Sequence, residues 1–199
     1  MKKSEMRMIG PAVLAARKMK AQVLGGRGVL PGSRLSVRDA GGAERYYVIK
    51  ASSDRTLSFT RLENGRWRTL HAMDRVLAIV PADDGVHDVQ VYEFVAKQLI
   101  KKFDEAWKML TEAGRTIGPQ MPIFISLDKN PKKSYGHAVA NLKLISIWSR
   151  DLTRPQIRKL TSSEIDDSDD RFYDRVKREF ADRFGIDVSK VEVEFRIRS

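Results

Sequence analysis

Between residues 33 and 81, five short stretches rich in β-branched and aromatic residues follow one another, and each is cut off by a turn signal. Arg34-Leu35-Ser36-Val37-Arg38 alternates with a period of two and breaks at Ala40-Gly41-Gly42. Arg45 to Lys50 and Thr56 to Leu62 follow, separated by Ser52-Ser53-Asp54. Asn64-Gly65 is a strong hairpin signal, because both residues tolerate the positive φ of a type I′ turn. Arg66 to Leu70 then reads as the return strand and Arg75 to Val80 as a fifth strand. Side chains alternate across a strand, so such segments must bury one face against something. The economical solution is a small antiparallel β-barrel or rolled sheet of the SH3-like size class.

The flanks are helical in pattern. Pro11 suits a first helical turn and Gly25-Gly26 a stop, which predicts a basic amphipathic helix over 11–24. Lys2, Lys3 and Arg7 before the apolar run 8–16 could open a signal peptide. Gly10-Pro11 interrupts that run, however, and Arg17-Lys18-Met19-Lys20 follows it at once. Tyr92, Val95, Ala96, Leu99, Phe103, Ala106, Trp107 and Leu110 fall at helical spacing. They predict a long amphipathic helix from about 88 to 113, capped by Asp88 and ended by Gly114. Met121 to Leu127 reads as a short buried strand, 137–149 reads as either strand or helix with the pattern leaning to helix, and Thr153-Arg154-Pro155 as another helix start.

Ser162 to Asp170 is an acidic, polar connection and the best internal boundary. Beyond it, Phe172, Val176, Phe180 and Phe184 recur every four residues, and Val191, Val193, Phe195 and Ile197 alternate with charges. These predict a C-terminal helix–strand unit whose strand seeks a sheet in this chain or in a partner. The fold class is therefore α+β in four segments. They are a basic arm (1–32), the β-module (33–81), a long helix with an α/β segment (82–160), and the acidic linker with helix and strand (161–199).

Charge follows the same division. The net charge is +11, yet residues 1–32 hold seven Lys and Arg against one acid, and 119–160 hold eight against two. Residues 161–199 instead carry eight Lys and Arg against eleven acids. Clustered cations gain from counterion release on phosphate, so a DNA or RNA partner is expected. Cysteine is absent, which excludes disulfides, thiolate nucleophiles and Cys-based zinc sites and fits a reducing, cytoplasmic setting. No stretch approaches the roughly 18 apolar residues of a membrane span.

Two basic sets are candidate nucleic-acid contacts. Arg34 and Arg38 flank Ser36 on one strand face, and Arg66 and Arg68 flank Trp67 on another. The loop from Lys129 to Gly136 adds Lys129, Lys132, Lys133 and the stackable ring of Tyr135. It lacks the glycine spacing of a phosphate-binding P-loop. His71, His87 and His137 are dispersed, and Asp83, Asp84, His87 and Asp88 are explained by capping and a solvated turn, so no metal or cofactor is expected. No catalytic motif is complete. The residues together predict a non-enzymatic nucleic-acid-binding or regulatory protein. The alternative is a protein-interaction module or homo-oligomer docking through the β-module or the terminal strand. A metal-dependent nuclease is less favoured, because it needs converging carboxylates that the sequence does not space recognisably.

Overall fold

A computed structural model of the chain describes residues 1–24, 33–39, 41–118, 120–127, 138–139 and 142–161. The chain divides into two compact units, Met1–Ile157 and Arg158–Ser199, and the elements below lie in the first. In order they are α1 (Lys3–Ala16), β1 (Lys20–Val23), β2 (Arg34–Arg38), β3 (Glu44–Ala51) and β4 (Thr56–Thr60). A 3-10 turn (Leu70–Ala72), β5 (Arg75–Pro81), β6 (Val89–Val95) and α2 (Ala96–Glu112) come next. The last strands are β7 (Pro122–Ser126), β8 (Ala138–Val139) and β9 (Trp148–Leu152).

The class is α+β, but the strands do not close into a barrel among the described residues. Six of them form one mixed sheet in the order β1-β2-β3-β5-β6-β9. β3 and β5 run parallel, and every other neighbouring pair in that sheet is antiparallel. β4 leaves the main sheet to pair antiparallel with β7, which in turn pairs parallel with β8. The departure of β4 is what defeats closure. Parallel neighbours need a long crossover, and residues 52–74 supply it between β3 and β5. The main sheet draws strands from three of the sequence segments, 1–32, 33–81 and 82–160.

Alternation along the strands assigns the two faces. Val48, Val76, Ala78 and Phe94 join a core with Leu57, Phe59, Ile123, Ile125 and the α2 residues Leu99, Phe103 and Ala106. The other face presents Ile49, Leu77, Ile79 and Val91, all buried, and α1 lies against β3 and β5 there. α1 approaches closely because residue 10 is glycine: a Cβ at Gly10 would meet Ile49 Cδ1 at 2.3 Å.

Several elements differ from the sequence expectation, each for a physical reason. α1 begins at Lys3, not Pro11, and Glu5 accepts the Lys2 backbone amide at 3.0 Å to cap it. Pro11 sits inside the helix, where it can give the Arg7 carbonyl no bond. The helix stops at Lys18 (φ 58°) through paired bonds from Lys18 N to Ala15 O and Met19 N to Leu14 O, the arrangement usually closed by glycine. Residues 89–95, expected in the long helix, are instead a strand between β5 and β9, because Val89, Val91 and Val95 are β-branched and alternate. Asp88 therefore caps no helix there; its carboxylate receives the Arg154 amide at 2.6 Å, where the chain turns helical after Thr153.

The strand expected at 66–70 is reduced to a single bridge between Arg61 and Trp67. The Trp67 ring plunges into the core, where its Nε1 donates to Asp104 at 3.0 Å. The Asn64-Gly65 turn does form, but only Gly65 is at positive φ (79°). Bonds from Gly65 N to Leu62 O and Leu62 N to Arg66 O make it a three-residue loop, not type I′. Within 137–149, where the pattern left strand and helix open and leaned to helix, the described residues include β8 and the start of β9. The acidic linker, C-terminal helix and terminal strand lie outside the described residues.

Candidate anion-binding cleft

Two lysines and two arginines from separate segments meet where β2 begins. Lys3 and Arg7 stand four residues apart on α1, Arg34 opens β2, and Lys50 lies near the end of β3. Together they line a cleft of about 310 Å³, with Val48 and Ile49 from the two faces of β3 also in its lining. Ser58 and Thr69 line the same space. Among the described residues no carboxylate lines the cleft, and none pairs with any of the four cations.

Local structure fixes each group. Lys50 shares a strand face with Val48, so it enters the core side of β3, and its ammonium rests 4.3 Å from the centroid of the Phe59 ring. A ring face attracts a cation weakly compared with a carboxylate. Burial, then the charges of Arg7 and Arg34, push the Lys50 ammonium below the usual lysine range. Arg34 donates to Thr69 Oγ1 at 3.1 Å. Thr69 holds φ 71° and ψ −47°, a region that a β-branched residue enters only under strain of about 1–3 kcal/mol. The strain is maintained from both sides, since buried Trp67 and Leu70 anchor the chain before and after it.

The sequence candidates distribute unevenly around this cleft. Arg34 is part of it. Arg38 is exposed at the opposite end of β2, in register with Lys20 and Glu44. Arg66 and Arg68 are exposed on either side of Trp67, and Arg68 borders a different hollow with Glu63 and Asn64. Lys129, Lys132, Lys133 and Tyr135 lie outside the described residues. Lys3, Arg7, Lys50 and Thr69 escaped sequence reasoning. A signal for two of them existed, because residues four apart on a helix share a face. Lys50 was also legible in principle, as a charge in phase with Val48 on a strand.

Two other polar clusters stand out. Under α1, Glu93 is 2% exposed on the apolar face of β6. It accepts Arg17 Nη1 at 2.6 Å and the Tyr47 hydroxyl at 2.7 Å, with Arg75 Nε at 3.6 Å. Arg17 also stacks 4.6 Å from the Trp148 ring, tying the end of α1 to β6 and β9. Burial raises the Tyr47 hydroxyl well above the usual tyrosine range, and its bond to Glu93 adds to the shift. This cluster is internally satisfied apart from Arg75 Nε and acts as a structural tie.

At the far end of the sheet, Asp84, His87 and Asp151 bring ligand atoms within 4.8 Å of one another. Asp84 is committed already: Oδ1 accepts the Val86 and His87 amides at 2.9 Å each, and Oδ2 faces His87 Nδ1. Those bonds hold the Asp84 carboxyl well below the usual carboxylate range and raise His87 above the usual histidine value. The arrangement closes a turn.

Among the described residues no helix is long and apolar enough to cross a membrane. No protein-family model, curated protein or solved structure matches this chain.

Proposed function

We propose that this chain is a non-enzymatic nucleic-acid-binding protein that engages phosphate through the cleft between α1, β2 and β3. One observation carries the reading. Cations from the basic arm (Lys3, Arg7) and from the β-module (Arg34, Lys50), separate in sequence, converge on one concave space lined by no described carboxylate. Phosphate contacts from Lys, Arg and hydroxyls position a protein on a strand without reading its sequence, and their strength comes largely from counterion release. A lining of cations and hydroxyls favours holding a phosphate over cleaving it, since metal-assisted hydrolysis needs converging carboxylates.

Anisotropy titrations with duplex DNA, single-stranded DNA and RNA, at about 50 and 200 mM salt, test the reading. The expected result is measurable binding at the lower salt that falls at least tenfold at the higher. Absence of binding to all three at low salt contradicts it.

A further inference from the structure

The cleft has features that distinguish one phosphate from another. Its volume, about 310 Å³, is at the lower end of the roughly 300–1,000 Å³ of ligand pockets. That is room for a phosphoryl group together with the part of a molecule attached to it. Its four cations exceed what one internal phosphodiester, a monoanion with two open oxygens, can neutralise. A phosphate monoester carries about −1.5 to −2 charges at pH 7 and three strong acceptor oxygens. Arg7 and Arg34 offer planar forks of donors, Lys50 a point charge, and Ser58 a hydroxyl.

The cleft is also prearranged. Arg34 is held by Thr69 Oγ1, on a backbone kept at φ 71°. Lys50 is desolvated against Phe59 with no anionic partner among the described residues. Such an assembly of like charges is unfavourable when empty and is relieved in proportion to the charge that enters it.

We infer that the cleft binds a phosphate monoester dianion, presented either by the phosphorylated end of a nucleic-acid strand or by a free mononucleotide. The inference rests on the phosphate-binding reading above and narrows it from backbone to end group. A terminal phosphate satisfies the cleft.

The test uses the full chain at pH 7 and fixed ionic strength. Anisotropy compares a labelled single strand bearing a phosphate at its 5′ end, at its 3′ end, or at neither. Thermal shift with adenosine monophosphate, against adenosine, covers the free source. One phosphorylated end is expected to bind about tenfold more tightly than the hydroxyl-ended strand, equivalent to about 1.4 kcal/mol. Arg34→Gln and Lys50→Met are each expected to remove that difference, whereas Arg38→Gln, outside the cleft, is expected to keep it. Arg7→Gln, on the helix surface, repeats the test should either of the first two fail to fold.

Equal affinity for all three strands overturns the end-group inference and leaves the nucleic-acid reading standing. A preference that survives all three cleft substitutions places the end group elsewhere and also overturns the inference. Stabilisation by adenosine monophosphate, lost in Lys50→Met, with no strand bound at all, supports the monoester inference and overturns the nucleic-acid reading.

Discussion

Burial and the neighbouring guanidinium groups push Lys50 below the usual lysine range, so near neutral pH the fold holds a charge that the unfolded chain holds more easily. The unfolded state binds the proton more tightly, and stability therefore rises with pH across the window between the lowered folded value and the ordinary 10.5. Lys50→Met is expected to stabilise the protein at pH 7 by about 1 kcal/mol, or about 2–4 °C in Tm, while losing phosphate affinity. Thermal melts from pH 7 to pH 10 check it: the advantage of the variant shrinks as pH rises. A destabilised Lys50→Met would assign the side chain a packing role instead.

Glu93 shows the opposite economy. Its buried carboxylate is satisfied by Arg17 and Tyr47, and deleting it leaves the half-buried guanidinium groups of Arg17 and Arg75 without their anion. Glu93→Ala is expected to cost about 3–5 kcal/mol in urea unfolding. Tyr47 titrates above its ordinary value, so the stability from its neutral hydroxyl is present below pH 10 and is lost as pH rises beyond it. The stability gap between wild type and Tyr47→Phe should accordingly narrow above pH 10. A gap independent of pH there would exclude the hydroxyl as its source.

At the scale of elements, close packing explains what local patterns missed. Gly10 in mid-helix looks like a weakness, at about 1 kcal/mol relative to alanine. Against the buried Ile49 an added methyl forces that side chain to shift, and Gly10→Ala is expected to destabilise by about 1–3 kcal/mol despite better helix propensity. Equilibrium unfolding decides the sign. The strands at 34–38, 44–51, 56–60, 75–81 and 122–126 were legible because β-branched and aromatic residues cluster there between turn residues, with clear alternation at 34–38 and 56–60. The α2 stop was legible too, since Gly114 (φ 70°) closes it with bonds from Gly114 N to Thr111 O and Arg115 N to Leu110 O.

Residues 89–95 were not legible, because Tyr92 and Val95 happen to continue the helical stripe of α2 backwards. Only the pairing of β6 between β5 and β9 decides the matter, and pairing is a tertiary fact. The end of α1 was hidden for a different reason. A lysine at φ 58° does the work that Gly25 seemed to offer.

At the scale of the molecule, the division of charge along the chain acquires a geometry. The basic arm and the β-module share a cleft because α1 packs across β3 and β5 and brings Lys3 and Arg7 to the start of β2. Sequence reasoning found the basic segments and one of the four cleft cations, Arg34. It could not find the convergence, which depends on a helix beginning eight residues earlier than its proline suggests and on β4 leaving the sheet. The arginines Arg38, Arg66 and Arg68 lie outside the cleft, so substituting them should weaken binding far less than substituting Arg7 or Arg34.

The most direct test is the salt dependence of binding by an Arg7→Gln/Arg34→Gln variant. For single strands, the slope of log K against log salt is about −0.7 per phosphate neutralised. Removing two cleft cations should make that slope shallower by about 0.7–1.4 and lower the affinity at low salt, with the fold intact by circular dichroism. An unchanged slope at unchanged affinity would place the phosphate contacts elsewhere on the molecule and contradict the assignment of the cleft.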